Sequence, residues 1–159
     1  MIRAVNKNEL PICLEVIRQS FQTVADEFGL TKESCPTNGA FMPVEQLIDD
    51  YENGKLMFAL FHKGEMAGYM QLEQKDGDTV KLKKLAVLPQ YRHLGYGKDL
   101  LDFAKGKAKE LGAGKLTLGM IDENIRLKNW YFANGFVSVE TKIIPSLPFT
   151  VGYMECPLG

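Results

Sequence analysis

Residues 85–98, Leu-Ala-Val-Leu-Pro-Gln-Tyr-Arg-His-Leu-Gly-Tyr-Gly-Lys, constrain the fold of this chain more than any other stretch. An apolar, β-prone run (Leu85, Ala86, Val87, Leu88) stops at Pro89, a glycine-bearing turn follows, and helical periodicity then begins. Strand, glycine turn and helix start together make a site suited to a phosphate. The first N–H groups of a helix lack intrahelical acceptors and carry partial positive charge. Gly95 and Gly97 let the main chain approach an anion closely, and Arg92 and Lys98 add full charges. Two familiar phosphate loops do not fit. A Walker-type loop requires Ser or Thr after its Gly-Lys pair, and here Lys98 precedes Asp99. A dinucleotide fingerprint requires a third glycine where Leu100 stands, so an ATP or NAD enzyme is disfavoured.

What remains, Arg92-x-x-Gly95-x-Gly97 after Leu-Ala-Val and a proline, resembles the acyl-CoA pyrophosphate loop of the GNAT family of N-acetyltransferases. A second segment strengthens the resemblance. Asn124, Tyr131 seven residues later, and then Gly135-Phe136 look like the later motif of the same family.

The order of elements agrees. Ile2–Val5 reads as a strand, and apolar residues at Cys13, Val16, Ile17, Phe21, Val24 and Phe28 recur at helical spacing up to Gly29. Residues 29–43 read as a loop, Val44–Tyr51 as a short helix, and Leu56–Phe61 and Met66–Leu72 as strands around a tight turn. In Thr79–Leu88 the apolar positions switch parity, from Val80 and Leu82 to Leu85 and Val87. Side chains alternate faces with period two, so the switch predicts one extra residue, a β-bulge at Lys83 or Lys84. A helix to Leu111, a strand at Leu116–Ile121, a helix at Asn124–Asn134 and two strands at Phe136–Ile144 and Phe149–Cys156 complete the chain. The expected class is α/β (α+β), with a central mixed, mostly antiparallel sheet in the order βααβββαβαββ, as in the GNAT fold. Residues 1–159 read as a single domain.

Composition narrows the partners. Hydrophobic residues make up 45% and charged residues 25%, which fits a packed core rather than disorder. A net charge of −1 with no long run of one sign gives no footprint for bulk nucleic acid or a membrane surface. No segment reads as a signal peptide or a membrane span, and Cys13, Cys35 and Cys156 show no metal-ligand spacing. A reduced, cytoplasmic setting is the expectation.

The resemblance implies an acetyl-CoA-dependent N-acetyltransferase, with no metal, acting on an amine of a small molecule, amino acid or peptide. It also implies a possible homodimer. Its alternative is a GNAT-fold protein that binds or senses acyl-CoA without turnover. By the same resemblance, main-chain groups of Leu85, Ala86 and Val87 bind the pantetheine arm, and the turn Arg92, His93, Leu94, Gly95, Tyr96, Gly97 and Lys98 binds the phosphates. His93 stands where the family often has glycine, so it tolerates the turn less readily. Asn124 is a pantetheine ligand or a helix cap. Tyr131 donates a proton to the departing thiolate, a role that suits a phenol. The base that must deprotonate the acceptor amine is open. Lys81 and Lys83 occupy the strand positions where some members carry Glu or His, leaving Glu73, Asp122, Glu123 or a water chain. The two lysines read either as a solvated strand face or as ligands of an anionic acceptor. Cys35 lacks a recognisable His partner, which favours direct transfer over a covalent intermediate.

Overall fold

A computed structural model describes all 159 residues. The strands are β1 (Ile2–Ala4), β2 (Leu56–His62), β3 (Glu65–Gln74), β4 (Thr79–Val87), β5 (Lys115–Ile121), β6 (Val137–Ile143) and β7 (Thr150–Pro157). The helices are α1 (Leu10–Glu27), α2 (Val44–Glu52), α3 (Tyr96–Glu110) and α4 (Ile125–Ala133). The order βααβββαβαββ is the one the sequence predicts, with boundaries shifted by one or two residues. One seven-stranded sheet carries the strands in the order β1-β2-β3-β4-β5-β7-β6, and its only parallel pair is β4–β5.

Period-two alternation divides the apolar residues between the two faces of the sheet. Phe58, Leu60, Met70, Leu72, Val80, Leu82, Leu116, Leu118 and Met154 point to one face, where Leu100, Leu101, Ala104 and Ala108 of α3 and Tyr131 of α4 cover them. Met57, Ala59, Tyr69, Ala86 and Leu88 point to the other, beneath Cys13, Val16 and Ile17 of α1 and Leu47 of α2. Fully buried leucines of this kind contribute roughly 1.5–3 kcal/mol each, so both helical layers are fixed to the sheet. A smaller cluster of Ala25, Leu30, Cys35 and Ala40 packs against Ile121, Leu147 and Phe149. It ties the 28–43 loop to the β6–β7 connection across the end of the sheet. No helix is long and apolar enough to cross a membrane.

The parity switch in β4 is a bulge. Gln71 pairs with Lys83 and Tyr69 with Ala86, so one residue of β3, Met70, faces two of β4. Lys84 takes up the irregularity at φ 55°, a left-handed conformation that side chains rarely adopt. The apolar residues on both sides of it thereby keep their proper faces.

Candidate active site

The bulge forks the sheet. β4 and β5 pair only at Thr79–Lys115, Val80–Leu116 and Lys81–Thr117, although both strands run on for several residues. Beyond Lys81, the edge of β4 that faces β5 has no strand partner. Leu88 donates its N–H to Ala67 O at 2.9 Å, which sets the alternation of this ladder. Ala86 and Leu88 turn their peptide groups toward β3, and Leu85 and Val87 turn theirs into the fork. The carbonyl of Val87 is already taken there, accepting from Arg92 Nε at 3.2 Å.

At the mouth of the fork, the turn before α3 is built as an anion cradle. Gly95 caps the helix in the left-handed conformation (φ 85°) and no side chain caps it. His93 also adopts a left-handed φ of 65°, the demand that makes a non-glycine residue awkward in this turn. The N–H groups of residues 93–98 find no acceptor among the turns, caps or side chains. Six consecutive open donors at a helix start form a concave donor surface. Arg92 points inward, donating to Val87 O and to Ser20 O at 3.0 Å, so its side chain secures the turn to β4 and α1. Lys98 is exposed and pairs with Asp102 at 2.7 Å. Leu94 is exposed, and the Tyr96 hydroxyl meets His62 Nδ1. Gly97 is close to Trp130, where an added Cβ would lie 3.3 Å from the indole ring.

Open space surrounds Gly95, so any β-carbon there acts through backbone strain alone. Gly95→Ala is expected to cost about 1 kcal/mol or more of stability. Because the strain relaxes by reorienting the donors, the Kd for CoA should rise by about tenfold. Thermal melts and calorimetric titration with CoA check both numbers.

Tyr131 and Asn124 reach the fork from α4. Tyr131 is 6% exposed, packs edge-on against Trp130 and Phe136, and its hydroxyl has no protein partner. Burial raises its pKa above the ordinary phenol value, so the proton stays on oxygen, as a hydrogen-bond donor requires. Asn124 caps α4, its Oδ1 accepting from Leu127 N–H at 3.3 Å. The cap leaves Nδ2 free, so the capping and ligand readings coexist.

Both side chains line a cleft of about 550 Å³ that continues through the fork to the α1–α2 face of the sheet. There Phe21, Cys35 and Thr37 on one side and Leu147 and Phe149 on the other wall a polar floor. The floor carries Lys55, Lys81, Lys83 and Lys84, with Asp50 and Gln71. Gln71 accepts from Tyr69 Oη at 3.0 Å and donates to Asp50 Oδ2 at 3.3 Å. Glu73 lies outside the lining, gripped by Lys55 at 2.8 Å, Lys83 at 2.9 Å and Lys75 at 3.1 Å. The hydrogen bond from Lys55 and the adjacent ammonium of Lys83 hold its pKa far below the usual carboxylate range. Such a carboxylate is a fixed countercharge, and that geometry opposes the base role expected for it. Asp122 pairs with Lys128 at 2.6 Å, and Glu123 accepts from Thr150 N–H at 3.1 Å; neither lines the cleft. Sequence reasoning missed Lys55, Asp50 and the β6–β7 wall, which only tertiary packing brings together. A second hollow, near Arg3 and Phe61, contains none of the motif residues, and its Arg3 and Glu9 are paired at 2.7 Å.

Residues 24–136 match the model of the acetyltransferase (GNAT) family. The chain belongs to the GNAT family. An uncharacterized N-acetyltransferase from Lactobacillus delbrueckii subsp. lactis is 29% identical over 144 residues, covering 82% of this chain and 80% of that protein. A GNAT-family acetyltransferase from Staphylococcus aureus Mu50 superposes with a TM-score of 0.75 at 26% identity, over 100% of this chain and 99% of that one. The PaiA N-acetyltransferase of Thermoplasma acidophilum, solved with coenzyme A, gives a TM-score of 0.80 at 22% identity, over 99% and 98%. These likenesses cover the fold from end to end.

Proposed function

We propose that this GNAT protein is an acetyl-CoA-dependent N-acetyltransferase that moves the acetyl group directly onto an amine. The carrying observation is that the unpaired edge of β4 and Tyr131 share one cleft, and that β4 runs from this cleft directly into the open main-chain donors of the α3 turn. The residues fit coenzyme A: the donors of 93–98 suit a pyrophosphate, and the peptide groups of Leu85 with the N–H of Val87 suit a pantetheine arm lying like an added strand. Acetyl-CoA supplies the activated acyl carbon.

In the reaction a C–N bond forms and the C–S bond breaks. Donors along the unpaired edge of β4 are available to an oxygen gaining charge. The Tyr131 proton goes to the leaving sulfur. We assign Asp50 to the acceptor: among carboxylates it alone lines the cleft, and Gln71 orients it while leaving Oδ1 open. It holds the incoming ammonium and takes or relays the amine proton. Asp50→Asn should lower kcat/KM for the amine about tenfold or more, with CoA affinity retained by calorimetry. Thiol release from acetyl-CoA across a panel of amines, amino acids and peptides tests the whole reading. Turnover with an acceptor supports it, and tight CoA binding without turnover on any acceptor would favour an acyl-CoA sensor.

A further inference from the structure

The floor of the cleft is strongly basic in a chain that is otherwise almost neutral. Four lysines line it against one carboxylate, while the whole chain carries a net charge of −1. Lys55 and Lys83 are both ion-paired to Glu73. Lys81 and Lys84 are not. Neither has a carboxylate within ion-pair distance; Lys84 reaches the Thr37 carbonyl at 3.5 Å and lies over the Phe21 ring at 5.7 Å. Burial, followed by the charge of Lys83, lowers the pKa of both. A solvated strand face would leave its ammonium groups in water. These two are half-buried and look into a cavity, an arrangement that is costly until an anion fills it.

Their positions indicate which anion. Lys81 sits in the last β4–β5 pair, at the vertex of the fork, and Lys84 is the bulge residue. The phosphate cradle lies at the other end of this edge, past Val87. The main-chain donors there already serve the phosphates of coenzyme A. On the α1–α2 side, Lys81 and Lys84 share the lining with Asp50, the group assigned to the acceptor ammonium.

Resting on the N-acetyltransferase reading, we propose that the acceptor is an amine that also carries a carboxylate or phosphate, held by Lys81 and Lys84. Asp50 orients the amino end and the lysines anchor the acidic end, so the nitrogen is presented toward the fork. A charge-assisted contact at a part-buried site is worth roughly tenfold or more in binding.

The test uses matched acceptors that differ only in the anion: an α-amino acid against its amide, and phosphoethanolamine against ethanolamine. kcat/KM should favour the anionic member of at least one pair by about tenfold or more, and the pair that shows it distinguishes carboxylate from phosphate. Lys81→Gln and Lys84→Gln should each pull that ratio toward one by raising KM with little change in kcat. In parallel, phosphoethanolamine and glutamate are titrated calorimetrically into the CoA-saturated protein, where both variants should weaken binding. Turnover without anion preference, or a preference that survives both variants, overturns the proposal and leaves the transferase intact. Lysine-dependent anion binding with no turnover on any amine keeps the anion site and overturns the transferase reading. Neither turnover nor anion binding overturns both.

Discussion

Tyr131→Phe is expected to lower kcat by about a hundredfold or more, the usual range for loss of a positioned acid, with the Kd for CoA within about twofold. The contrast follows from the surroundings of the residue. The ring is anchored by Trp130 and Phe136, contacts that phenylalanine keeps, and no protein group loses a partner when the hydroxyl goes. Tm should therefore stay within a degree or two. Burial keeps the phenol protonated, so the group lost is a donor with its proton in place. A thiol with a lower pKa departs without assistance. If Tyr131 protonates the sulfur, an acetyl thioester of such a thiol should lose much less rate in the variant than acetyl-CoA does. An equal loss on both, measured under single-turnover conditions, would place the hydroxyl in another role.

Deleting Lys84 should produce an effect as large by a different route. With that residue gone, Leu85 moves opposite Met70, and Val80, Leu82, Leu85 and Val87 alternate regularly on the α3 face. Ala86 and Leu88 keep the α1 face. A regular β4 therefore satisfies both cores and loses its one left-handed residue, so the fold and Tm should survive. The function should not. A straight β4 continues its pairing with β5 past Lys81 and fills the edge assigned to the pantetheine arm. Misplacement of about 1 Å already costs roughly a hundredfold in rate, so kcat/KM should fall below detection and CoA affinity by about a hundredfold. Lys84→Gln, which preserves the residue count, should bind CoA as the parent does. Circular dichroism, thermal melts and calorimetric titration of both variants separate the lost residue from the lost charge.

What was legible in the sequence was what is local. Parity along one strand located the bulge to Lys83 or Lys84, because a two-residue repeat cannot hide an insertion between buried faces. Residues 85–98 marked the strand, turn and helix, because glycine spacing and apolar period reside in consecutive residues. The side chains in the turn were less legible. Arg92 reads as a phosphate ligand in sequence, yet it finds its acceptors on Val87 and, seventy-two residues away, on Ser20. The acceptor floor was half legible: Lys81 and Lys83 stood out on β4, but Lys55, Asp50 and Gln71 join them from β2's approach, α2 and β3. Glu73 was singled out for its residue type, and the three lysines that suppress its basicity become visible only when β2, β3 and β4 lie side by side.

The forked sheet also bears on how long the protein survives. The two halves of the sheet meet directly through three residue pairs, leaving a seam of unpaired peptide edges where local opening is expected to be easiest. A ligand that lies in the seam closes it, and at a hundred times its Kd it adds about 2.7 kcal/mol against opening. Saturating coenzyme A should therefore slow proteolysis of the native chain, a difference that protease digestion with and without the coenzyme reads directly.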